Sequence, residues 1–180
     1  FSLVDPDNRR PVNYAAREKI LANVAERQPT SDAATAKYIR ELLANAEDGR
    51  LKTHTIHSAL QTRSKYPELF DSRHYTPLVS VGSAAEHVLA FARPSEWRVM
   101  IVVAARFTAS PPASPENAPV GPAVWGETRL LLPPGLQADQ LRCVLGGHTV
   151  ETNAREPGSG LQLSRVFERL PIALLIGDCR

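Results

Sequence analysis

The spacing of apolar residues changes near residue 72, and this change limits the possible folds more than any other feature of the sequence. Before it, apolar side chains recur every three or four residues, as at Ala16, Ile20 and Val24. After it they recur every second residue, most clearly over residues 97–107. The first period is typical of an amphipathic helix and the second of a strand. The sequence therefore predicts a helical part followed by a β-rich part.

The helical part is predicted to contain three helices between residues 13 and 66. Residues suited to helix ends punctuate the segment: Pro29, Thr30 or Ser31, Gly49 and Pro67. Each helix carries a single apolar face, so it needs a packing partner. If that partner lies in another part of a longer protein, this chain on its own should expose apolar surface. We therefore expect the isolated chain to associate with copies of itself through this exposed apolar surface.

The β-rich part is predicted to be antiparallel. Its expected strands are 78–81, 88–92, 97–107, 128–132, 141–145, 149–152, 161–163 and 172–176. The second and third are joined by Arg93-Pro94-Ser95-Glu96 and should form a hairpin. Short strands with turn signals and no helices between them favour a two-sheet sandwich.

A dense polar loop stands near the start of the chain. Asp5, Asp7, Asn8, Arg9 and Arg10 follow an apolar stretch that could end a buried strand. Carboxylates accept hydrogen bonds from sugar hydroxyls and guanidinium groups donate them, so this composition suits a carbohydrate subsite. The alternative is a structural turn, in which the aspartates bond local amides and pair with the arginines. The residue types alone leave both interpretations open.

The run from Leu3 to Tyr14 resembles the segment after the eighth barrel strand of the α-amylase superfamily, and in detail the maltooligosyltrehalose synthase family. Four later stretches resemble the same family in order: Asp48-Gly49-Arg50-Leu51-Lys52, Tyr66-Pro67-Glu68-Leu69-Phe70, Ala123-Val124-Trp125-Gly126-Glu127-Thr128 and Leu170-Pro171-Ile172-Ala173-Leu174-Leu175. Maltogenic amylases and neopullulanases carry loops similar to the first run. The later stretches favour the synthase family over those hydrolases.

The resemblance implies an α+β fragment. Residues 1–72 would be the last strand and helices of a catalytic (β/α)8 barrel, and residues 73–180 an antiparallel all-β sandwich at the carboxy-terminal end. The implied enzyme converts the reducing-end α-1,4 linkage of a maltooligosaccharide into an α,α-1,1 linkage by intramolecular transglucosylation. Such retaining chemistry needs a carboxylate nucleophile and a carboxylic acid/base. In the family these groups precede the position of Phe1, so no catalytic residue is assigned here and the chain alone is expected to be inactive.

The resemblance also assigns roles within the polar loop. The positions of Asp5 and Arg9 contact a sugar on the non-reducing side of the cleaved bond, whereas Asp7, Asn8 and Arg10 orient them or contact neighbouring sugars. The implied partners are a maltooligosaccharide and the amino-terminal barrel of the same enzyme, in the cytoplasm and without a cofactor. Two alternatives stay open, namely a non-catalytic glucan-binding or interaction module and a fragment of a neopullulanase-like hydrolase.

Composition excludes several other functions. The formal net charge is +2, and the cations are scattered among acids rather than clustered, so nucleic acid is not an expected partner. No apolar run approaches the ~20 residues of a membrane-spanning helix, and no membrane partner is expected. Cys143 and Cys179 lack a Cys-x-x-Cys pattern, so no metal site is expected. Cys143 alternates with neighbouring leucines like a small strand residue.

Five further residues could be either functional or structural. His54 and His57 are one helical turn apart but lack a third metal ligand, which favours packing or solvent exposure. Trp97 heads an apolar strand face and is predicted to lie in the core. Trp125 follows a proline-rich stretch and is the more plausible sugar contact. His148, beside two glycines, is predicted to be a turn residue.

Overall fold

The computed structural model describes residues 11–27, 29–71, 74–107, 118–133, 136, 138–152 and 160–179. Its α-helices are α1 Tyr14–Glu26, α2 Asp32–Ala44, α3 Arg50–Lys65, α4 Pro67–Asp71, α5 Pro122–Trp125 and α6 Leu163–Val166. Its strands are β1 Thr76–Pro77, β2 Ser80–Val81, β3 Val88–Pro94, β4 Arg98–Ala105, β5 Arg129–Leu131, β6 Gln140–Cys143, β7 Thr149–Glu151, β8 Gly160–Gln162 and β9 Ile172–Asp178. Short 3₁₀ segments occupy Ala46–Asp48 and Ala85–His87.

Local side-chain caps set the starts of the first two helices. The Asn13 side chain accepts a hydrogen bond from the Ala16 amide at 2.9 Å and begins α1. Ser31, one of the two predicted caps, accepts from the Ala34 amide at 3.2 Å and begins α2. Such caps satisfy amides that have no partner within the helix. The three helices predicted between residues 13 and 66 are therefore confirmed, and Pro67, which follows the end of the third, also starts the short helix α4.

The strands form two antiparallel sheets. One has six strands in the order β1-β3-β4-β9-β6-β7, and the other has three in the order β2-β5-β8. The predicted hairpin is confirmed, because β3 and β4 pair antiparallel with Val88 opposite Ala105 and Pro94 opposite Val99. On β4 the side chains of Val99, Ile101 and Val103 are fully buried. Strand β4 is thus the apolar centre of the larger sheet.

One hydrophobic cluster joins the helices to the sheets. It includes Ile39 and Leu42 of α2 and Leu69 of α4, together with strand residues such as Ile101 and Leu175. The prediction of a mixed fold, with helices first and an antiparallel sheet after them, is confirmed. The last helix of the helical part ends at Asp71 and the first strand begins at Thr76. The domain boundary at residue 72, the barrel remnant and the sandwich packing of the sheets stay predictions.

Two predictions about the β-rich part are wrong. Trp97 does not lie in the core but is 68% exposed, because β4 begins only at Arg98 and Trp97 lies in the preceding turn. The β-rich part also contains helices, since the one-turn helices α5 and α6 lie between its strands and pack against each other. Neither has the sustained period by which a helix is recognised in sequence.

Candidate functional site

The five predicted sugar-binding residues, Asp5, Asp7, Asn8, Arg9 and Arg10, lie outside the described residues. The description begins at Pro11, immediately before the Asn13 cap of α1. Tyr14 on the first turn of α1 is 74% exposed. In the sequence, the predicted loop comes directly before the capped start of α1, where the Tyr14 side chain is exposed to solvent.

The stretch that begins with Asp48-Gly49-Arg50 forms the start of α3 and an ion-pair network. Gly49 has a φ of +83°, in the left-handed region that suits glycine. Asp48 accepts hydrogen bonds from the Arg50 amide at 2.8 Å and from Arg50 Nε at 2.7 Å. The Arg50 guanidinium also reaches Glu41 at 2.9 Å, and Glu41 pairs with Arg27 at 2.9 Å. The network links the ends of α1 and α2 to the start of α3. This motif therefore has a structural role in the fold.

The stretch that contains Trp125 also builds the core. Trp125 is 2% exposed, and its ring centroid lies 4.7 Å from that of Phe167. Its indole Nε1 donates a hydrogen bond to the Pro119 carbonyl at 2.8 Å. Thr128 is buried and its hydroxyl accepts from the Ala84 amide at 3.2 Å. The prediction that Trp125 contacts sugar is therefore wrong, because no face of its ring is available to a ligand.

Two histidines, the buried His148 and the half-buried His54, are bonded to backbone carbonyls. His54 Nε2 donates to the Leu145 carbonyl at 3.0 Å, and His148 Nε2 donates to the Arg165 carbonyl at 3.0 Å. Burial lowers the pKa of both imidazoles below the ordinary value. His148 lies in the connection between β6 and β7, so its prediction as a turn residue is confirmed, and its buried side chain also anchors that turn to Arg165. The packing interpretation of His54 is confirmed, since its ring also meets that of Tyr38 edge-on at 5.7 Å.

The lowered pKa values of these two histidines predict that the folded state loses stability in mild acid. Because their pKa values are lowered in the folded state, the unfolded chain binds more protons below about pH 6.5. Their stabilising contribution is complete above that pH and is lost as the pH falls through the folded-state pKa values. We expect the thermal midpoint to drop between about pH 7.5 and pH 5. The double variant His54→Gln with His148→Gln should flatten that profile, and a constant midpoint in the parent chain would contradict the assignment.

Arg169 ties the helical part to the β-rich part. Its guanidinium donates to both carboxylate oxygens of Asp32 at 2.8 Å and to the Gly146 carbonyl at 3.0 Å. The Arg169 side chain is only 9% exposed, whereas that of Asp32 is 69% exposed. Together with the bond from His54 to Leu145, this contact holds α2 and α3 against the β6–β7 turn.

A cleft of about 750 Å³ lies along this junction. Helix α3 lines it with His57, Gln61 and Lys65, and the neighbouring strands β4, β9 and β6 line it with Arg98, Ile176 and Arg142. Arg98 on β4 pairs with Asp178 at 2.9 Å and with Glu68 at 3.6 Å. The sequence did not reveal this cleft, because its residues are far apart along the chain. Within the described ranges, no group of three or more histidine, cysteine, aspartate or glutamate side chains could hold a metal ion.

No protein-family model matches the chain. Over 178 residues, which are 98% of the chain, it is 30% identical to a protein of Mycobacterium tuberculosis named "Putative maltooligosyl trehalose synthase", in the strains CDC 1551 / Oshkosh and ATCC 25618 / H37Rv. The structure matches maltooligosyltrehalose synthase from Arthrobacter ramosus with a TM-score of 0.59 and 27% identity, over 98% of this chain. A mutant of that synthase matches with a TM-score of 0.60 and 28% identity.

The chain is similar to maltooligosyltrehalose synthases over nearly its whole length. The resemblance drawn from the ordered motifs is thereby confirmed. The chain spans 17% of the length of the M. tuberculosis relatives and 18% of the solved A. ramosus synthases. Among the residues that the structure describes, no helix is long and apolar enough to cross a membrane.

Proposed function

We propose that this chain is the carboxy-terminal part of a maltooligosyltrehalose synthase. The observation that carries the proposal is the extent of the similarity, which reaches 98% of the chain at 30% identity to a protein named for that activity. The matching fold of the A. ramosus synthase supports it. In this proposal residues 1–72 complete the catalytic barrel, residues 73–180 form the carboxy-terminal domain, and the enzyme acts in the cytoplasm.

The proposed reaction is an intramolecular transglucosylation at the reducing end of a maltooligosaccharide. The nucleophile and the acid/base, which retaining chemistry places about 5 Å apart, would come from other parts of the enzyme. Within this chain, Asp5 and Arg9 would hold a sugar beside the cleaved bond, supported by Asp7, Asn8 and Arg10. The described residues would contribute by fixing the helix that follows this loop. The Asn13 cap at the start of α1 and the ion pair of Arg27 with Glu41 at its end supply that rigidity.

Product analysis tests the proposal. The complete gene product, supplied with maltopentaose, should form oligosaccharides that end in a trehalose unit, whereas the 180-residue chain alone should form none. Release of glucose and maltose without trehalosyl ends would instead identify a neopullulanase-like hydrolase. Formation of trehalosyl ends by the isolated chain would overturn the assignment of catalysis to other parts of the enzyme.

A glucan-binding module is a second candidate, and the exposure of Trp97 favours it. Aromatic faces stack well on sugar rings, and the Trp97 side chain is 68% exposed beside the β3–β4 turn. Calorimetry with maltopentaose separates the candidates. Millimolar or tighter binding by the isolated chain, lost on Trp97→Ala, would support a module. No binding would support an incomplete cleft.

We also propose that the isolated chain self-associates through its helices. Ile56 and Leu60 lie one turn apart on α3 and are 49% and 58% exposed, and Leu21 on α1 is 44% exposed. Burying such side chains is favourable by roughly 25 cal/mol per Å² of apolar surface. Size-exclusion chromatography should show an apparent mass that rises with concentration. The double variant Ile56→Gln with Leu60→Gln should elute as a monomer, and unchanged elution of both proteins at all concentrations would exclude this surface.

A further inference from the structure

An apolar patch lies on one face of the larger sheet, at the edge formed by β1 and β3. The register of the strands places its side chains next to each other across β1, β3 and β4. Because side chains alternate along a strand, they share the face opposite to the buried Val99, Ile101 and Val103. This sheet patch consists of Pro77, Leu89, Phe91, Val102 and Ala104, together with Tyr75 just before β1.

The sheet patch is apolar although it is partly open to solvent. Tyr75 is 59% exposed and Leu89 is 48% exposed. The ring of Tyr75 stacks on that of Phe91, with the centroids 4.9 Å apart and the planes at 30°. When one face of an antiparallel sheet is in water, its outward positions normally carry polar side chains. None of the six side chains of the patch is charged, so their composition is that of a covered face.

Helix α4 already covers the neighbouring part of the same face. Arg93 is the next outward position after Phe91 on β3, and its guanidinium donates a hydrogen bond to the Phe70 carbonyl of α4. Arg98 of β4 pairs with Glu68 of α4 at 3.6 Å. The sheet patch therefore continues, along β3 and β4, the contact that the helical part makes with the sheet.

The chemistry of the sheet patch favours a permanent protein contact over a small ligand. A sugar or an anion needs hydrogen-bond donors and acceptors, and the side chains of the patch supply only the Tyr75 hydroxyl. Apolar surfaces without charges are typical of contacts that are never broken. The chain spans 17% of the related M. tuberculosis proteins and 18% of the solved A. ramosus synthase, so most of such an enzyme lies outside it.

We propose that the remainder of the same enzyme covers the sheet patch. This inference rests on the proposed function, in which the helical part completes the catalytic barrel. The barrel elements beside α4 would extend over β3 and β1 and bury Tyr75, Phe91 and Leu89. The β-rich part would then be held at two neighbouring places, by α4 and by the covered patch, and so in one orientation on the barrel.

Hydroxyl-radical labelling of the complete gene product, read by mass spectrometry, tests the proposal. The labelling rate of each side chain is compared with its rate in the same protein unfolded in urea. Tyr75 should be protected several-fold more than its 59% exposure in this chain would allow. The control is Trp97, which is 68% exposed in the turn before β4 and outside the patch, and which should be little protected. Protection of Tyr75 no greater than that of Trp97 would overturn the proposal.

A substitution gives an independent measurement. Leu89→Gln in the complete gene product should lower the thermal midpoint by several degrees, because the amide would be buried without hydrogen-bond partners. In the 180-residue chain the same side chain is 48% exposed, so the midpoint should stay nearly unchanged. Trp97→Gln is the matched control and should leave the midpoint of the complete gene product unchanged. An equal loss from Leu89→Gln in both proteins, or no loss in either, would contradict the proposal.

Two further readouts separate the alternatives. If Leu89→Gln converts a dimer of the complete gene product into a monomer in the analytical ultracentrifuge, the patch belongs to a second copy and the proposal is wrong. Product analysis with maltopentaose tests the proposed function separately. Trehalosyl ends together with an unprotected Tyr75 would reject this inference alone. Release of only glucose and maltose together with a protected Tyr75 would reject the proposed function alone.

Discussion

Replacing Trp125 with alanine is expected to lower the free energy of unfolding by about 3–5 kcal/mol. The indole is 2% exposed, contacts Phe167 at a centroid distance of 4.7 Å and donates a hydrogen bond to the Pro119 carbonyl. Truncation removes the buried ring, leaves a cavity against Phe167 and deprives the Pro119 carbonyl of its donor. Urea denaturation followed by circular dichroism at about pH 7.5, above the ordinary histidine pKa, measures the loss.

The chain contains its own matched control for this substitution. Trp97→Ala removes the same side chain from a position that is 68% exposed, and should change the free energy of unfolding by about 0.5 kcal/mol or less. The two tryptophans should therefore differ several-fold in their effect on stability. Similar losses from both substitutions, or a negligible loss from Trp125→Ala, would contradict the placement of Trp125 in the core.

These tryptophans also show where sequence reasoning succeeds and where it fails. The alternation of apolar residues correctly predicts that Val99, Ile101 and Val103 are buried on one strand. It fails at Trp97 because periodicity cannot show at which residue a strand begins. The prediction that Trp125 contacts sugar came from its place after a proline-rich stretch, and it fails because the residue that covers the indole, Phe167, is distant in sequence. Local pattern predicts elements, whereas burial at their ends depends on tertiary contacts.

The histidines follow the same rule. His54 fits a helical pattern, but its bond to Leu145 depends on how α3 docks against the β6–β7 turn. The cleft depends on the same docking, since residues of α3 and of the strands both line it. No spacing in the sequence shows that these elements meet. Sequence reasoning could therefore predict the helices and strands of this region but not the cleft between them.

The ordered motifs behind the family resemblance are mainly architectural. Asp48 and Arg50 fix the start of α3, Trp125 fills the core, and the 170–175 stretch leads into β9 in the centre of the larger sheet. Such residues identify a fold because their packing tolerates few replacements. They carry no information about which groups meet substrate. The functional interpretation of the loop before α1 therefore needs a test of its own.

Asp5→Ala in the complete enzyme is expected to lower kcat/KM by about ten- to 150-fold. A hydrogen bond to a charged group is worth about 1.5–3 kcal/mol, and each 1.36 kcal/mol is a factor of about ten. Arg9→Ala should cause a loss of the same order, because both residues are proposed to hold one sugar. The measurement is steady-state formation of trehalosyl ends from maltopentaose, combined with urea denaturation of each variant.

Measuring both quantities separates the sugar-binding subsite from the structural turn. In a subsite, the carboxylate of Asp5 and the guanidinium of Arg9 face the substrate, so kcat/KM falls while the free energy of unfolding changes little. In a turn, Asp5 bonds local amides and pairs with Arg9 or Arg10, so stability falls while the kinetics of the folded enzyme stay unchanged. Asp5→Asn sharpens the distinction. It keeps the size and an acceptor oxygen but removes the charge. In a subsite that uses charge-assisted bonds to sugar hydroxyls, those bonds should lose about half of their strength with that charge.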